Sequence, residues 1–176
     1  MTLSLDPLTT DAWGQIIDVL KSKIENPNLS FVKYLNSIGM PLRKVYTQKE
    51  PDGSGNGWDP NLSRCPAVTL LASAFPFADD HGAGDERWYF SVTVMFKMQV
   101  RRGDASEAFQ ASHELLRTIW AGWRPGNEDP FSAIRGIHSY RVEGNVTPHI
   151  ADDSAGREAA RVAFDVRFRL AETILG

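Results

Sequence analysis

The longest alternation of apolar and polar residues in the chain runs from Tyr89 to Val100, YFSVTVMFKMQV. Its even-numbered positions are all apolar, whereas its odd-numbered positions are mostly polar. Successive side chains of a β-strand point to opposite faces of the sheet. The pattern therefore predicts a strand with one buried face and one half-exposed face.

A second alternation runs from Arg161 to Leu170, RVAFDVRFRL, and predicts a sheet neighbour of the first strand. Its even-numbered positions are apolar, and four of its odd-numbered positions are charged: Arg161, Asp165, Arg167 and Arg169. A sheet with one apolar face has to bury that face against another layer. We therefore expect helices to cover the apolar side of this pair.

Apolar residues at helical spacing predict three helices. The first covers the apolar positions from Trp13 to Ile24 and ends at Asn26-Pro27, because proline does not continue a helix. A shorter helix is expected between Leu29 and Ile38. The third, from Ala105 to Trp120, is predicted to be the main helix on the sheet, with Phe109, Leu115 and Leu116 on its apolar stripe and a partly buried His113.

Three further strands are predicted, at Val45-Tyr46, from Pro66 to Phe75 and from Ile134 to Val146, with a polar connection from Thr147 to Arg157. The expected fold is α/β (α+β), a mainly antiparallel or mixed sheet of about four to five strands with helices packed on one face. Residues 1–176 form one domain with long loops near 47–65 and 76–87. Both loops are expected to be mobile in a free subunit, because they carry few apolar residues.

Composition narrows the class of protein. A chain of 176 residues with 23% charged residues is ordinary for one globular domain. The net charge of −3 lacks the basic excess of a sequence-specific DNA-binding protein. No long apolar segment predicts membrane insertion or secretion, so we expect a cytoplasmic protein. The single Cys65 excludes an intramolecular disulfide and a multi-cysteine metal site.

The candidate metal ligands and phosphate-binding residues do not match established motifs. Acidic residues and histidines fall into two groups, Asp79, Asp80, His81 and Asp85, and His149, Asp152 and Asp153. Neither group has the spacing of an EF-hand or a zinc site. The glycines between Gly53 and Gly57 lack the Lys-Ser/Thr pair of a P-loop. We therefore expect no metal, no cofactor and no enzymatic activity.

Trp58 differs from the other tryptophans because it lies in an otherwise hydrophilic segment, QKEPDGSGNGWDPNLSR. Exposed aromatic residues of this kind are typical anchors at protein interfaces. Trp88 and Trp120 are expected in the core instead. Arginine and carboxylate side chains on one face of a strand suit paired contacts across an interface. Trp58, together with Arg161, Asp165, Arg167 and Arg169, is therefore a candidate interface residue.

The order of these elements resembles the tail-terminator family of long-tailed bacteriophages, also called tail-completion or minor tail proteins. Four segments carry the resemblance: the strands CPAVTLL, YFSVTVMFKMQV and ARVAFDVRFRL, and the helix SEAFQASHELLRTIW. It covers residues 10–25 and 62–171. The family is defined by the order of its elements more than by invariant residues.

The resemblance implies a structural virion protein with no catalytic residues. Such a protein forms a homo-oligomeric ring, usually a hexamer, that caps the tail tube, ends tail polymerisation and joins the head or neck connector. Its implied partners are itself, the tail tube protein, the connector and, as a further candidate, the sheath protein, with no membrane and no sequence-specific nucleic acid. Its location would be the virion tail or neck, and the host cytoplasm during assembly. The alternative is a small cytoplasmic ligand-binding or regulatory α+β module with a pocket between sheet and helices.

Overall fold

A computed structural model describes residues 7–47, 59–75, 89–101, 104–120, 137–152 and 156–170. The helices are α1 (Pro7–Glu25), α2 (Ser30–Ser37) and α3 (Ser106–Trp120), and a short 3-10 helix spans Leu62–Arg64. The strands are β1 (Lys44–Thr47), β2 (Ala67–Phe75), β3 (Tyr89–Gln99), β4 (Ile137–Glu143), β5 (His149–Asp152) and β6 (Glu158–Leu170). The three helices lie close to their predicted positions.

The strands form one mixed six-stranded sheet in the order β1-β2-β3-β6-β4, with β5 also paired to β6. At its centre β3 and β6 run antiparallel, with Val94 opposite Phe164. Antiparallel pairing continues from β3 to β2 and from β6 to β4 and β5, whereas β1 is parallel to β2. The predicted fold class and the predicted pairing of the two alternating strands are confirmed.

Strands β4 and β5 lie end to end along the same edge of β6. Glu143 pairs with Asp165 and His149 pairs with Arg161, so the segment from Gly144 to Pro148 faces a shorter segment of β6. The extra residues have to leave the plane of the sheet, and Gly144 permits this with a φ of 103°. The strand predicted from Ile134 to Val146 is present as the shorter β4, whereas the prediction of a polar connection from Thr147 to Arg157 was wrong, because β5 lies within it. Backbone pairing with β6 does not require an alternation of apolar residues.

The core lies between the sheet and the three helices. Its buried sheet residues include Val68, Leu70, Val92, Val94, Phe96, Met98, Val162, Phe164, Val166 and Phe168, and its buried helix residues include Ile16, Leu20, Ile24, Phe31, Leu35, Ala108, Ala111, Leu115 and Ile119. All the sheet residues in this set occupy even-numbered positions. The predicted face assignment for both alternating strands is therefore confirmed.

The predicted apolar stripe of α3 was partly wrong. Its buried positions centre on Leu115, whereas Leu116 is only partly buried and Phe109 is 50% exposed. His113 is exposed and not partly buried. Trp120, half-buried at the end of the helix, stacks on Tyr140 with ring centroids 5.2 Å apart. The buried side of the helix includes the small residues at positions 108 and 111, and Phe109 lies outside it.

Polar contacts fix the helices relative to one another. The hydroxyl of Thr118 on α3 accepts a hydrogen bond of 2.9 Å from the backbone N–H of Phe31, near the start of α2. The buried Lys23 of α1 donates to the carbonyl of Ile119 at 2.8 Å, close to the end of α3. A cation at this position complements the negative end of the helix dipole.

At the other end of α3, hydrogen bonds from Ser106 lower the pKa of Asp104 below its usual value.

The register predicts unequal costs for substitutions on the two faces of the sheet. Phe164→Ala should lower the free energy of unfolding by about 3–5 kcal/mol, because it truncates a buried aromatic side chain. Thr93→Ala, on the other face, should cost about 1 kcal/mol, because the Thr93 hydroxyl donates to Asp165 Oδ1 at 2.7 Å. Urea unfolding of both variants measures the difference. Equal costs would contradict the assigned faces.

Candidate functional site

The sheet face opposite the helices, called the open face, carries the odd-numbered residues of β2, β3 and β6. One end of it is covered by the segment from Asp59 to Cys65, whose Leu62 packs in a second buried cluster with Tyr46 and Ala159. Residues 59–64 were expected to belong to a mobile loop. The structure instead packs them within their own chain, because Pro60 and Leu62 bury their apolar surface there. Residues 48–58 and 76–88 lie outside the described residues.

A groove of about 570 Å³ lies on the open face. Its floor consists of Ala67 and Thr69 of β2, Met95 and Lys97 of β3, and Arg161 and Ala163 of β6. In the β2–β3 register, the short side chains of Ala67 and Thr69 stand opposite the longer Lys97 and Met95. This volume falls within the range of small-molecule sites in proteins, about 300–1,000 Å³.

Two walls rise from the floor, one on each side of the groove. Asp59 and Pro60 form one wall, and Asn145, Thr147 and His149 form the other. Asn145 and Thr147 of the second wall belong to the segment that interrupts the pairing between β4 and β5. The alternative interpretation of the sequence placed a ligand pocket between sheet and helices, whereas this groove lies on the opposite face.

The Asp59 carboxylate connects two cations of the groove. Lys97 Nζ donates to Asp59 Oδ1 at 2.9 Å and to the Pro60 carbonyl at 2.8 Å. Arg161 Nη2 donates to Asp59 Oδ2 at 2.9 Å. The alternation predicted a half-exposed Lys97, but the side chain is buried, with 6% of its surface exposed. The ion pair allows this burial because the ammonium group keeps two oxygen partners.

Sequence reasoning identified Arg161 but not Lys97 or Asp59 as site residues. Lys97 occupies a polar position of the alternation, and Asp59 lies 38 residues before it. No periodicity or local motif connects residues so far apart in the chain. The Asp-Pro dipeptide at Asp59-Pro60, near the end of a hydrophilic segment, indicates a turn, but it does not indicate which strand the turn contacts.

A second group of polar contacts, called the charged ladder, lies further along the open face. The carboxylate of Glu143 on β4 pairs with Arg167 Nη2 at 2.9 Å and with Arg141 Nη2 at 2.6 Å. Asp165 of β6 accepts a hydrogen bond from Thr93. These contacts link β3, β6 and β4 across the sheet.

The candidate interface residues are separated by the structure into these two groups. Arg161 belongs to the groove, whereas Asp165 and Arg167 belong to the charged ladder, and all three have partners within the chain. The structure describes Arg169 only by its backbone position in β6, opposite Tyr89. Trp58 is outside the described residues. Their role at an interface stays a prediction.

The acidic and histidine groups noted in the sequence do not assemble into a cluster in the described part of the chain. There, no group of three or more histidine, cysteine, aspartate or glutamate residues is close enough to hold a metal ion. His149 lies in the groove wall and Asp152 at the end of β5, while Asp153 and residues 79–85 fall outside the described ranges. None of the described helices is long and apolar enough to cross a lipid bilayer.

The ion pair predicts a specific stability cost at Lys97. Lys97→Met should lower the free energy of unfolding by about 1.5–3 kcal/mol, because it removes charge-assisted hydrogen bonds to Asp59 and Pro60. Lys33→Met, at an exposed position of α2, is the matched control and should stay within about 0.5 kcal/mol of the wild type. Chemical denaturation measures both. Equal effects of the two substitutions would show that the Lys97 contacts do not hold the groove wall.

Comparison with known proteins does not assign this chain to a family. No protein-family model matches the sequence, and a search of curated proteins finds no significant match.

Proposed function

We propose that the chain is a structural virion protein of the tail-terminator type, which forms a closed homo-oligomeric ring on the end of a phage tail tube. The ring ends tail polymerisation and provides the surface to which the head or neck connector attaches. Its partners are neighbouring copies of the chain, the tail tube protein, the connector and the sheath protein where the tail is contractile. Resemblance in the order of elements, and not any catalytic motif, leads to this proposal.

The architecture supports the proposal at the level of the fold. The resemblance implies a mixed or antiparallel sheet with helices, and the chain folds into a six-stranded mixed sheet with helices against one face. The other face carries the groove and the charged ladder. One subunit therefore presents two chemically different surfaces. A closed ring is built from heterologous contacts, in which two unlike surfaces of the same chain meet.

The charged ladder is the observation that favours the open face as a contact surface. The side chains of Arg167 and Glu143 are 33% and 29% exposed, so groups on another molecule can reach their ion pair. An exposed ion pair contributes little to stability in water. At an interface, the same charges select a complementary partner and fix the orientation of binding. An arginine can also hold a carboxylate through two parallel hydrogen bonds.

The sheet edges favour contacts through side chains over open-ended strand addition. Strand β1 is only four residues long, and the opposite edge is interrupted between β4 and β5. Short, interrupted and charged edges restrict uncontrolled pairing with other chains. The rotation between neighbouring subunits decides whether a ring closes, and specific charge pairs at the contact fix the orientation that sets this rotation.

Reversing the charge of Arg167 tests the proposed assembly. Arg167→Glu should convert the ring, expected to be a hexamer, into monomers, because it places a carboxylate beside Glu143 on the contact surface. Light scattering measures the mass of the assembly. Complementation of a phage that lacks this protein measures the production of tailed particles, which should fall. A loss of about 1.4 kcal/mol at each contact weakens that contact about tenfold.

Arg117→Glu is the matched control for this reversal. Arg117 also pairs with a carboxylate of its own chain, Glu114, but it lies on α3, away from the open face. Both substitutions change the charge equally and both remove an intrachain ion pair, but only Arg167 lies on the open face. A wild-type chain that is monomeric at all concentrations would contradict the proposal. Retention of the ring by the Arg167 variant would remove the charged ladder from the interface.

A further inference from the structure

The groove combines an apolar floor with an excess of positive charge. Met95 and Ala163 provide the accessible apolar surface, and the buried Ala67 and Thr69 lie beside them. The two cations, Lys97 and Arg161, share the single carboxylate of Asp59. Among the described residues, the groove lining therefore carries one more Lys or Arg side chain than Asp or Glu side chains. Clefts lined by charge of one sign attract ions of the opposite sign.

Arg161 has the capacity to bind a further anion. Its guanidinium group has five N–H donors, and within the described part of the chain its hydrogen bond is to Asp59. The side chain is 43% exposed, so solvent and ligands reach it. His149 pairs with Arg161 across the β5–β6 ladder and also lines the groove.

We propose that this groove is a binding site for a small organic carboxylate with an apolar body. The carboxylate pairs with the guanidinium of Arg161, and the apolar body lies on Met95 and Ala163 between the two walls. Asn145 and Thr147 of the outer wall supply further polar groups. Pockets of this volume typically combine apolar lining with a few polar groups that fix the orientation of a ligand.

The arrangement favours an organic carboxylate over a bare inorganic anion. Lys97 is buried and its ammonium group already has two oxygen partners, Asp59 and Pro60, so Arg161 is the cation that a ligand can reach. A bare anion would gain one arginine contact and leave the apolar floor in water. An acid with an apolar body gains the same contact and also buries apolar surface. The inference does not depend on the proposed ring, because every lining residue belongs to one chain.

The methionine methyl groups allow a direct test by NMR. With ¹³C-methyl methionine in the full chain, hexanoate and benzoate should shift the Met95 signal with a dissociation constant on the order of 1 mM, the scale expected for so few ligand atoms. Met98 is fully buried on the helix side of the sheet, so its signal should stay unchanged. Benzamide, a neutral analogue of benzoate, and inorganic phosphate should bind at least about tenfold more weakly.

A pair of arginine variants identifies the anchor. Arg161→Gln should raise the dissociation constant for hexanoate about tenfold, as expected for the loss of one charge-assisted hydrogen bond. Arg43→Gln, at an exposed arginine that does not line the groove, should leave it unchanged. An unperturbed Met98 signal shows that each variant is folded. Equal binding by the two variants, equal binding of benzamide and benzoate, or a Met95 signal insensitive to both acids at 20-fold the expected constant, on the order of 20 mM, would overturn the proposal.

Discussion

The antiparallel pairing of β3 with β6 is the interaction on which the other parts of the structure depend. Its register places Val94 opposite Phe164 and assigns the even-numbered residues of 92–98 and 160–168 to the helix side. A shift of one residue would move the apolar set to the other face and leave α1, α2 and α3 without a surface to cover. Burial of that apolar set is therefore what fixes both the core and the chemistry of the open face.

The open face acquires its character from two segments that lie outside this central pair. The turn at Asp59-Pro60 covers Lys97, and the interruption between β4 and β5 raises Asn145 and Thr147 above the sheet. Without these segments the odd-numbered residues of the open face would lack the two walls of the groove. With them, small residues such as Ala163 lie at the bottom of a groove, and Arg161 is held at its edge by Asp59.

The groove and the charged ladder divide the open face into two regions with different chemistry. In the ladder, Arg167 and Glu143 are paired within the chain and remain within reach of another molecule, which suits a contact whose main contribution is specificity. In the groove, positive charge exceeds negative charge and borders apolar surface, which suits a small anion. Both regions depend on β6, since Arg161 and Arg167 belong to the same strand. A ligand in the groove and a neighbour on the ladder would therefore contact the same strand.

The sequence by itself determined the helices, the two long strands, their pairing and their buried faces, because hydrophobic periodicity reports directly which side of an element is removed from water. It also placed Arg161, Asp165 and Arg167 on one face, since alternation along a strand is a local property. Only the tertiary structure decided that Lys97 is buried, that β5 forms within a polar segment and that Phe109 stays exposed. These outcomes depend on which residues distant in the chain meet, such as Asp59 and Lys97, and on which side of α3 turns toward the core. Periodicity carries no information about the first of these, because a local pattern does not encode the partner of a turn or an edge strand.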